Sequence, residues 1–266
     1  MKRLFILCAF MALCLALWQK HPAQPVTLTG RAMGCEWKLV TDQAIDPDQL
    51  RLDIATILEH WEQVLSTWRP DSDLSRHNRG APATPDLTRV LLLAGEIHTD
   101  TGGAFDHRML GQLTRAGFGP GGEGIDLSSL GKGFAVDRVC EMLRARGIRR
   151  HVFSLAGEVR AGEGTWPVGI EGPDGLAGTI PLSSQAIATS GNYRQWRESR
   201  RGKRVSHILD PASGEPVLRP PCSVTVIGTD AATASAWATA LFVLGPAGNS
   251  AAETHGLTVI WHGTCE

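Results

Sequence analysis

The chain has 266 residues, 42% of them hydrophobic, with 26 lysines and arginines against 27 acidic residues and a net charge of -1. A charge so near zero excludes the basic footprint of a nucleic-acid-binding protein, and the apolar content is enough for a sizeable buried core. None of the 6 cysteines stands in a CxxC or Cys/His spacing that would suit zinc.

Met1-Lys2-Arg3 is a short basic start, residues 4–18 are apolar and uncharged, and Gln19-Lys20-His21-Pro22 is polar. Residues 1–22 therefore read as a secretory signal peptide or an N-terminal anchor. The run is shorter than the ~20 residues of a spanning helix, which favours cleavage, yet no clean small-x-small site follows it. Leu7 and Leu13 precede Cys8 and Cys14 where a lipobox wants a small residue. Residues 23–266 then fit one large or two intimately joined domains. They hold Cys35, Cys140, Cys222 and Cys265. An oxidising compartment permits disulfides among these without demanding one, and Cys140, near the apolar face of a helix, is expected to be a buried thiol.

Residues 26–29 and 36–41 read as short strands on either side of Gly30-Arg31-Ala32-Met33-Gly34. Asp46 and Pro47 start a helix as N-cap and first residue, with Leu50, Ile54, Ile57, Leu58, Trp61, Val64 and Leu65 facing inward. Residues 68–78 read as a polar loop, in which Trp68 is either a stacking ring for a ligand or ordinary packing. Thr84-Pro85 starts a second helix with Leu87, Val90, Leu91, Ala94 and Ile97 on its buried face, ending at Gly102-Gly103.

Residues 124–147 are the most informative stretch. Phe134, Val139, Met142 and Leu143 recur at helical spacing, and Gly147 stands where a C′ glycine ends a helix. Ahead of that helix, Ser128-Ser129-Leu130-Gly131-Lys132-Gly133 reads as a glycine-rich entry that lets an anion approach the first-turn amides, or else merely as a tight turn with a solvated lysine. It is not a Walker A loop: Asp126 stands where the first glycine belongs, and Gly133 follows Lys132.

Strands are then expected at residues 151–155, 166–170, 179–182, 186–189 and 204–209, separated by glycine and proline turns. A strand at 223–227, a helix at 231–244, a short helix at 247–255 and a strand at 257–261 close the chain. Interleaving is uneven, so the class is α+β, with a substantially antiparallel sheet and packed helices rather than a doubly wound parallel sheet.

His207-Ile208-Leu209-Asp210-Pro211 is the best source of base chemistry, since a neutral imidazole takes a proton from a hydroxyl and Asp210 could orient a neighbour; a turn-bonding histidine with a turn-shaping Asp-Pro reads equally well. Thr189-Ser190-Gly191 offers hydroxyls and a bend after a strand. No G-x-S-x-G, H-E-x-x-H or dinucleotide fingerprint occurs, so hydrolase, metalloprotease and nicotinamide readings lack their residues.

In order along the chain, several blocks resemble the FAD:protein FMN transferases, the ApbE-like flavin transferases. They are Met33-Gly34, Ser66-Thr67-Trp68-Arg69-Pro70-Asp71-Ser72 with Leu74-Ser75 and Asn78, and Gly103-Ala104-Phe105-Asp106. Asp126-Leu127 through Lys132-Gly133 to Asp137 and Thr189-Ser190-Gly191-Asn192-Tyr193 follow. Ser206-His207-Ile208-Leu209-Asp210-Pro211 with Ser213-Gly214 and Pro216, and Thr239-Ala240-Leu241-Phe242-Val243-Leu244-Gly245, complete the series. The resemblance implies a flavin-transferase-like fold and a magnesium-dependent enzyme of the periplasm or cell envelope, exported and either released or held at the inner membrane by its N-terminal segment. Such an enzyme splits the pyrophosphate of FAD, its substrate, moves FMN onto a threonine or serine of an acceptor protein and releases AMP. It further implies that Met33, Trp68, Ala104, Phe105, Asp106, Asp126, Lys132 and Ile208 hold the nucleotide, that His207 and Asp210 serve catalysis, and that Ser129, Ser235 and Thr239 face Mg2+.

Two departures from the family pattern stand out. Ala156-Gly157-Glu158 replaces a glycine pair and an acidic residue, leaving the backbone less free to bend there. Ser235 stands four residues before Thr239, where the family keeps its metal-binding carboxylate, and a hydroxyl is a poorer ligand for a hard dication. Asp230 lies on the other side of that helix and is expected to be its N-cap. Besides an active transferase, the pattern leaves open an FAD-binding envelope protein without transfer activity and an FAD pyrophosphatase releasing FMN and AMP.

Overall fold

The computed structural model describes residues 25–198 and 204–265; the signal peptide or anchor expected at residues 1–22 lies outside them. Two-residue hairpins build the first half of the sheet. β1 (Val26–Ala32) and β2 (Cys35–Thr41) pair with Ala32 opposite Cys35, so Met33 and Gly34 form the whole turn, at φ 51° and 72°. Two successive positive φ values belong to a type I′ turn, whose twist matches that of the strands. β3 (His151–Leu155) pairs with β2 and returns through Ala156 and Gly157 into β4 (Glu158–Ala161), with Leu155 opposite Glu158. β7 (Ala186–Gly191), β10 (Cys222–Gly228) and β11 (Thr258–Gly263) complete a seven-stranded sheet of order β1-β2-β3-β4-β7-β10-β11. Every pair in it is antiparallel, which bears out the expected class. β5 (Trp166–Gly172) with β6 (Gly175–Leu182), and β8 (Trp196–Glu198) with β9 (Arg204–Ser206), form separate ribbons.

Strand alternation sends successive side chains to opposite faces. Trp37, Leu39, Phe153, Leu155, Val224 and Val226 join the main core with the helices. Val40, Val152, Val159, Ile187 and Ile227 instead pack with Trp166, Ile170 and Leu182 of the β5–β6 ribbon. β10 is buried along its whole length because both faces are covered.

The helices are α1 (Pro47–Leu65), α2 (Asp73–Asn78), α3 (Pro85–Asp100), α4 (Leu110–Arg115), α5 (Ser128–Ala145), α6 (Ala231–Leu244) and α7 (Asn249–Thr254). The sequence caps act as expected: Asp46 accepts from the amides of Asp48 and Gln49, Thr84 from Leu87 and Asp230 from Thr233. α5 and α6 cross closely. Asp137, 2% exposed, accepts from the amides of Ala231 (2.9 Å) and Ala232 (3.0 Å) and pairs with Arg160 of β4 at 2.5 Å. Gly133 permits the crossing, since a Cβ there would lie 2.3 Å from the Ala231 carbonyl oxygen. Trp61 of α1 meets Phe134 of α5 edge-on, with centroids 4.8 Å apart.

Some expected bounds need correction. Residues 128–133 are not an entry loop but the first two turns of α5. Their glycines serve helix packing, Gly131 against Leu65 and Gly133 against Ala231. Residues 68–78 are only partly loop: the Ser72 hydroxyl accepts from the Ser75 amide at 3.0 Å and starts α2, which buries Leu74. The strand expected at 204–209 stops at Ser206. α4, β4 and β8 are too short for their periodicity to mark them in the sequence. Cys222 and Cys265 form a disulfide, Cα atoms 5.5 Å apart, tying the start of β10 to the segment after β11. Cys140 is a free buried thiol, its pKa pushed up by burial. Among the described residues no helix is long and apolar enough to cross a membrane.

Ala156 bends where glycine would be easier: its φ is 54°. A left-handed alanine costs about 1–2 kcal/mol, more than the backbone entropy that glycine adds to the unfolded chain. Ala156→Gly is therefore expected to raise unfolding free energy by about 1 kcal/mol, read as a higher denaturant midpoint at unchanged slope. A lower midpoint would mean that this turn holds alanine without strain.

Candidate active site

Of the residues named from sequence, Asp126, Ser129 and Lys132 meet at the N-terminal half of α5, and Ser235 reaches it through Glu158. Asp126, 8% exposed, accepts from the Ser128 amide at 2.9 Å and from the Ser128 hydroxyl, while its other oxygen accepts from Thr67 Oγ1 at 3.3 Å. This carboxylate both opens α5 and fastens the Thr67–Trp68 segment to it. Trp68 itself is 67% exposed, so its ring is not core packing.

The block from Ser66 to Asn78 acts as a buckle for that arrangement. Ser66 Oγ accepts from the amides of Trp68 and Arg69, and Ser72 Oγ and Ser75 Oγ both donate to the Ser66 carbonyl. Asn78 pairs with both backbone groups of Ile125, donating to its carbonyl at 2.8 Å and accepting from its amide at 2.9 Å. The Asp126 amide donates to the His107 carbonyl at 2.8 Å, which joins the Gly103–Asp106 block to the same segment. Met33, half-buried in its turn, donates its amide to Glu62 Oε2 at 3.2 Å, and Glu62 pairs with Arg69 at 3.1 Å.

Lys132 is the charge at the centre. Its Nζ lies 3.7 Å from Glu158 Oε1. The Glu158 carboxylate, with a smaller contribution from Asp126, holds the ammonium above its ordinary pKa against the opposing effect of burial. Glu158 Oε1 also accepts from Ser235 Oγ at 3.2 Å. Thr239 Oγ1 donates to the Ser235 carbonyl at 3.3 Å, and Ser190 Oγ of β7 lies 3.4 Å from it. Ser129 is half-buried in the first turn of α5, three residues before Lys132 and so on the same side of the helix.

His207 is half-buried just after β9, and its Nδ1 donates to the Gln195 carbonyl at 3.3 Å. Burial pushes its pKa down, and the Lys132 ammonium acts in the same direction. Asp210 does not face it: its oxygens accept from the Ala212 amide and Ser213 Oγ, shaping the turn at 210–215. Ile208 is buried, its amide bonded to Ser206 Oγ. Ala104 and Phe105 are buried too, Phe105 in the main core. Asp106 is held by Arg108 through paired bonds of 2.9 Å, which keep its carboxyl below the usual range despite burial.

The family profile described as ApbE family matches residues 33–124 and 120–261. The chain belongs to the ApbE family. It is 30% identical to an FAD:protein FMN transferase of Vibrio cholerae serotype O1, over 96% of this chain and 92% of that one. A Klebsiella pneumoniae protein of the same name is 29% identical, over 85% and 81%. The apo crystal structure of the Pseudomonas stutzeri flavinyl transferase ApbE aligns with TM-score 0.79 at 29% identity, covering 89% of this chain and 90% of that one. The Vibrio cholerae flavin transferase ApbE aligns with TM-score 0.79 at 28% identity, over 90% and 94%.

Magnesium, implied by the resemblance, was expected at Ser129, Ser235 and Thr239. Among the described residues no group of three or more His, Cys, Asp or Glu is arranged to hold a metal. The two α6 hydroxyls already donate, one to Glu158 and one to a carbonyl, so by themselves they offer no charge. Glu158 alters the fit. It is 8% exposed, and its Oε2 is a buried anionic oxygen without a hydrogen-bond partner. A free carboxylate oxygen with a hydroxyl beside it is a donor set of the kind a hard dication would accept. Glu158 was visible in the sequence only as part of a turn motif; its contact with Ser235 joins β4 to α6.

Asn78→Ala would leave the amide and carbonyl of Ile125 without their partner, a loss of about 1–3 kcal/mol when such groups are buried. Chemical denaturation is expected to register that loss together with weaker flavin binding, because Asp126 follows directly. Unchanged stability would show that the buckle is dispensable.

Proposed function

We propose that this chain transfers FMN from FAD onto a threonine or serine hydroxyl of a target protein in the cell envelope, releasing AMP. Membership of the ApbE family and the names of its relatives support the reaction. The observation that carries the reading is Lys132, an ammonium beside Glu158 and Asp126 whose charge reaches His207. A pyrophosphate needs a fixed cation against its oxygens, and an attacking hydroxyl needs a base that is neutral near pH 7.

His207 meets the second need. Because Nδ1 carries the proton donated to Gln195, Nε2 keeps its lone pair. The acceptor oxygen attacks the phosphorus on the FMN side of the anhydride and a new P–O bond forms. The P–O bond to AMP breaks, AMP leaves with that bond's electron pair, and the hydroxyl proton passes to Nε2. Lys132 offsets negative charge on the anhydride, and the exposed indole of Trp68 offers a face on which a flat ring stacks. Magnesium, when bound, would polarise the phosphoryl oxygens and neutralise the departing phosphate. The N-terminal segment, as signal or anchor, would deliver the enzyme to the periplasmic side of the inner membrane.

Incubating the full-length chain with FAD, magnesium and a candidate acceptor is expected to yield flavin fluorescence on the denatured acceptor and one AMP for each FMN attached. Free FMN with unlabelled acceptor would mean hydrolysis by water, and intact FAD would contradict the reading. In the same assay His207→Ala should lower kcat by at least about a hundredfold while FAD affinity changes little, since the base acts in the transition state. The acidic limb of the wild-type rate profile should lie below pH ~6.5, because a lowered pKa keeps the imidazole neutral to more acidic pH. Equal loss of binding and rate would make His207 a ligand-holding residue.

A further inference from the structure

We propose that Glu158 supplies the anionic oxygen for a divalent cation in this site, and that Ser235 is the positioning residue that aims it. The inference rests on the flavin-transferase reading and extends it to a residue on β4. Both partners of the carboxylate lie on one oxygen: Ser235 Oγ donates to Oε1 at 3.2 Å and Lys132 Nζ stands 3.7 Å from it. The other oxygen, Oε2, is buried and unpartnered. Leaving a charged oxygen desolvated without a partner is costly, and such groups are retained where a cation or hydrogen-bond donor completes them.

Charge points the same way. Lys132 stands 3.7 Å from Glu158, and Asp126 lies just ahead of the helix that carries Lys132, so two carboxylates and one ammonium leave this part of the site with a net charge of about −1 before any nucleotide enters. The bond from Ser235 fixes the rotamer of Glu158, and the Ala156–Gly157 turn, bent through a positive φ, fixes the strand that carries it. A carboxylate held this way offers a hard cation both ligation and charge, which the hydroxyls of Ser235 and Thr239 lack.

Mn2+ serves as the probe. Loss of its free-ion electron paramagnetic resonance signal is titrated with full-length wild type, Glu158→Gln and Ser235→Ala, each with saturating FAD and no acceptor, and FAD binding is followed in the same samples by flavin fluorescence. Wild type should bind Mn2+ beyond what FAD alone takes up. Glu158→Gln should weaken that affinity by at least about tenfold with FAD still bound, and Ser235→Ala should weaken it less. Equal Mn2+ affinity in Glu158→Gln and wild type overturns the assignment, as does a larger loss in Ser235→Ala than in Glu158→Gln. So does a wild type that takes up no Mn2+. If wild type fails to bind FAD, the flavin reading itself falls and this inference with it. Should circular dichroism show that Glu158→Gln is unfolded, Glu158→Asp carries the test. It withdraws the oxygen by one methylene and should weaken Mn2+ by about threefold or more, and an unchanged affinity overturns the assignment.

Discussion

A buried carboxylate at a helix start sets the geometry of this site. Asp137, in the middle of α5, receives the first two amides of α6 and the Arg160 guanidinium of β4. Three elements distant in sequence meet at one side chain, and each satisfies a charge or dipole that burial would otherwise penalise. Removing one partner of such a pair costs about 3–5 kcal/mol, because the other is left charged and dry. Gly133, one turn earlier, removes the side chain that would keep the helices apart. The register of α6 against α5 follows, and with it the meeting of Ser235, Glu158 and Lys132.

Around that crossing the remaining blocks act as fasteners. Asp126 starts α5 and holds Thr67, Asn78 holds Ile125, and Arg69 joins the loop to Glu62 and so to the Met33 turn. The hydroxyls of Ser66, Ser72 and Ser75 close the loop behind Trp68 on backbone groups. These contacts give each motif a physical reason. Most of its polar residues hold the backbone in place, while Trp68, Lys132 and His207 remain to meet a ligand.

Local signals in the sequence carried the helix starts and buried faces, because a cap and an apolar stripe are decided within a few residues. Asp46-Pro47, Thr84-Pro85 and Asp230 all cap as read. The glycines at 131 and 133 misled for the opposite reason: their neighbours, Leu65 and Ala231, come from other helices. Asp210 lies near His207 in sequence yet bonds its own turn, and the free oxygen of Glu158 emerges only once β4 lies beneath α6. The resemblance named the polar cluster around Lys132, but which oxygens remain unpaired is a property of the fold.

The crossing is the claim on which the account depends, and Gly133→Ala tests it most directly. An added Cβ would sit 2.3 Å from the Ala231 carbonyl oxygen, so the two helices must move apart. Circular dichroism should report a folded chain, while FMN transfer falls by at least about tenfold, since misplacement on the order of 1 Å is enough for such a loss. A folded Gly133→Ala chain that transfers FMN at the wild-type rate would contradict the account.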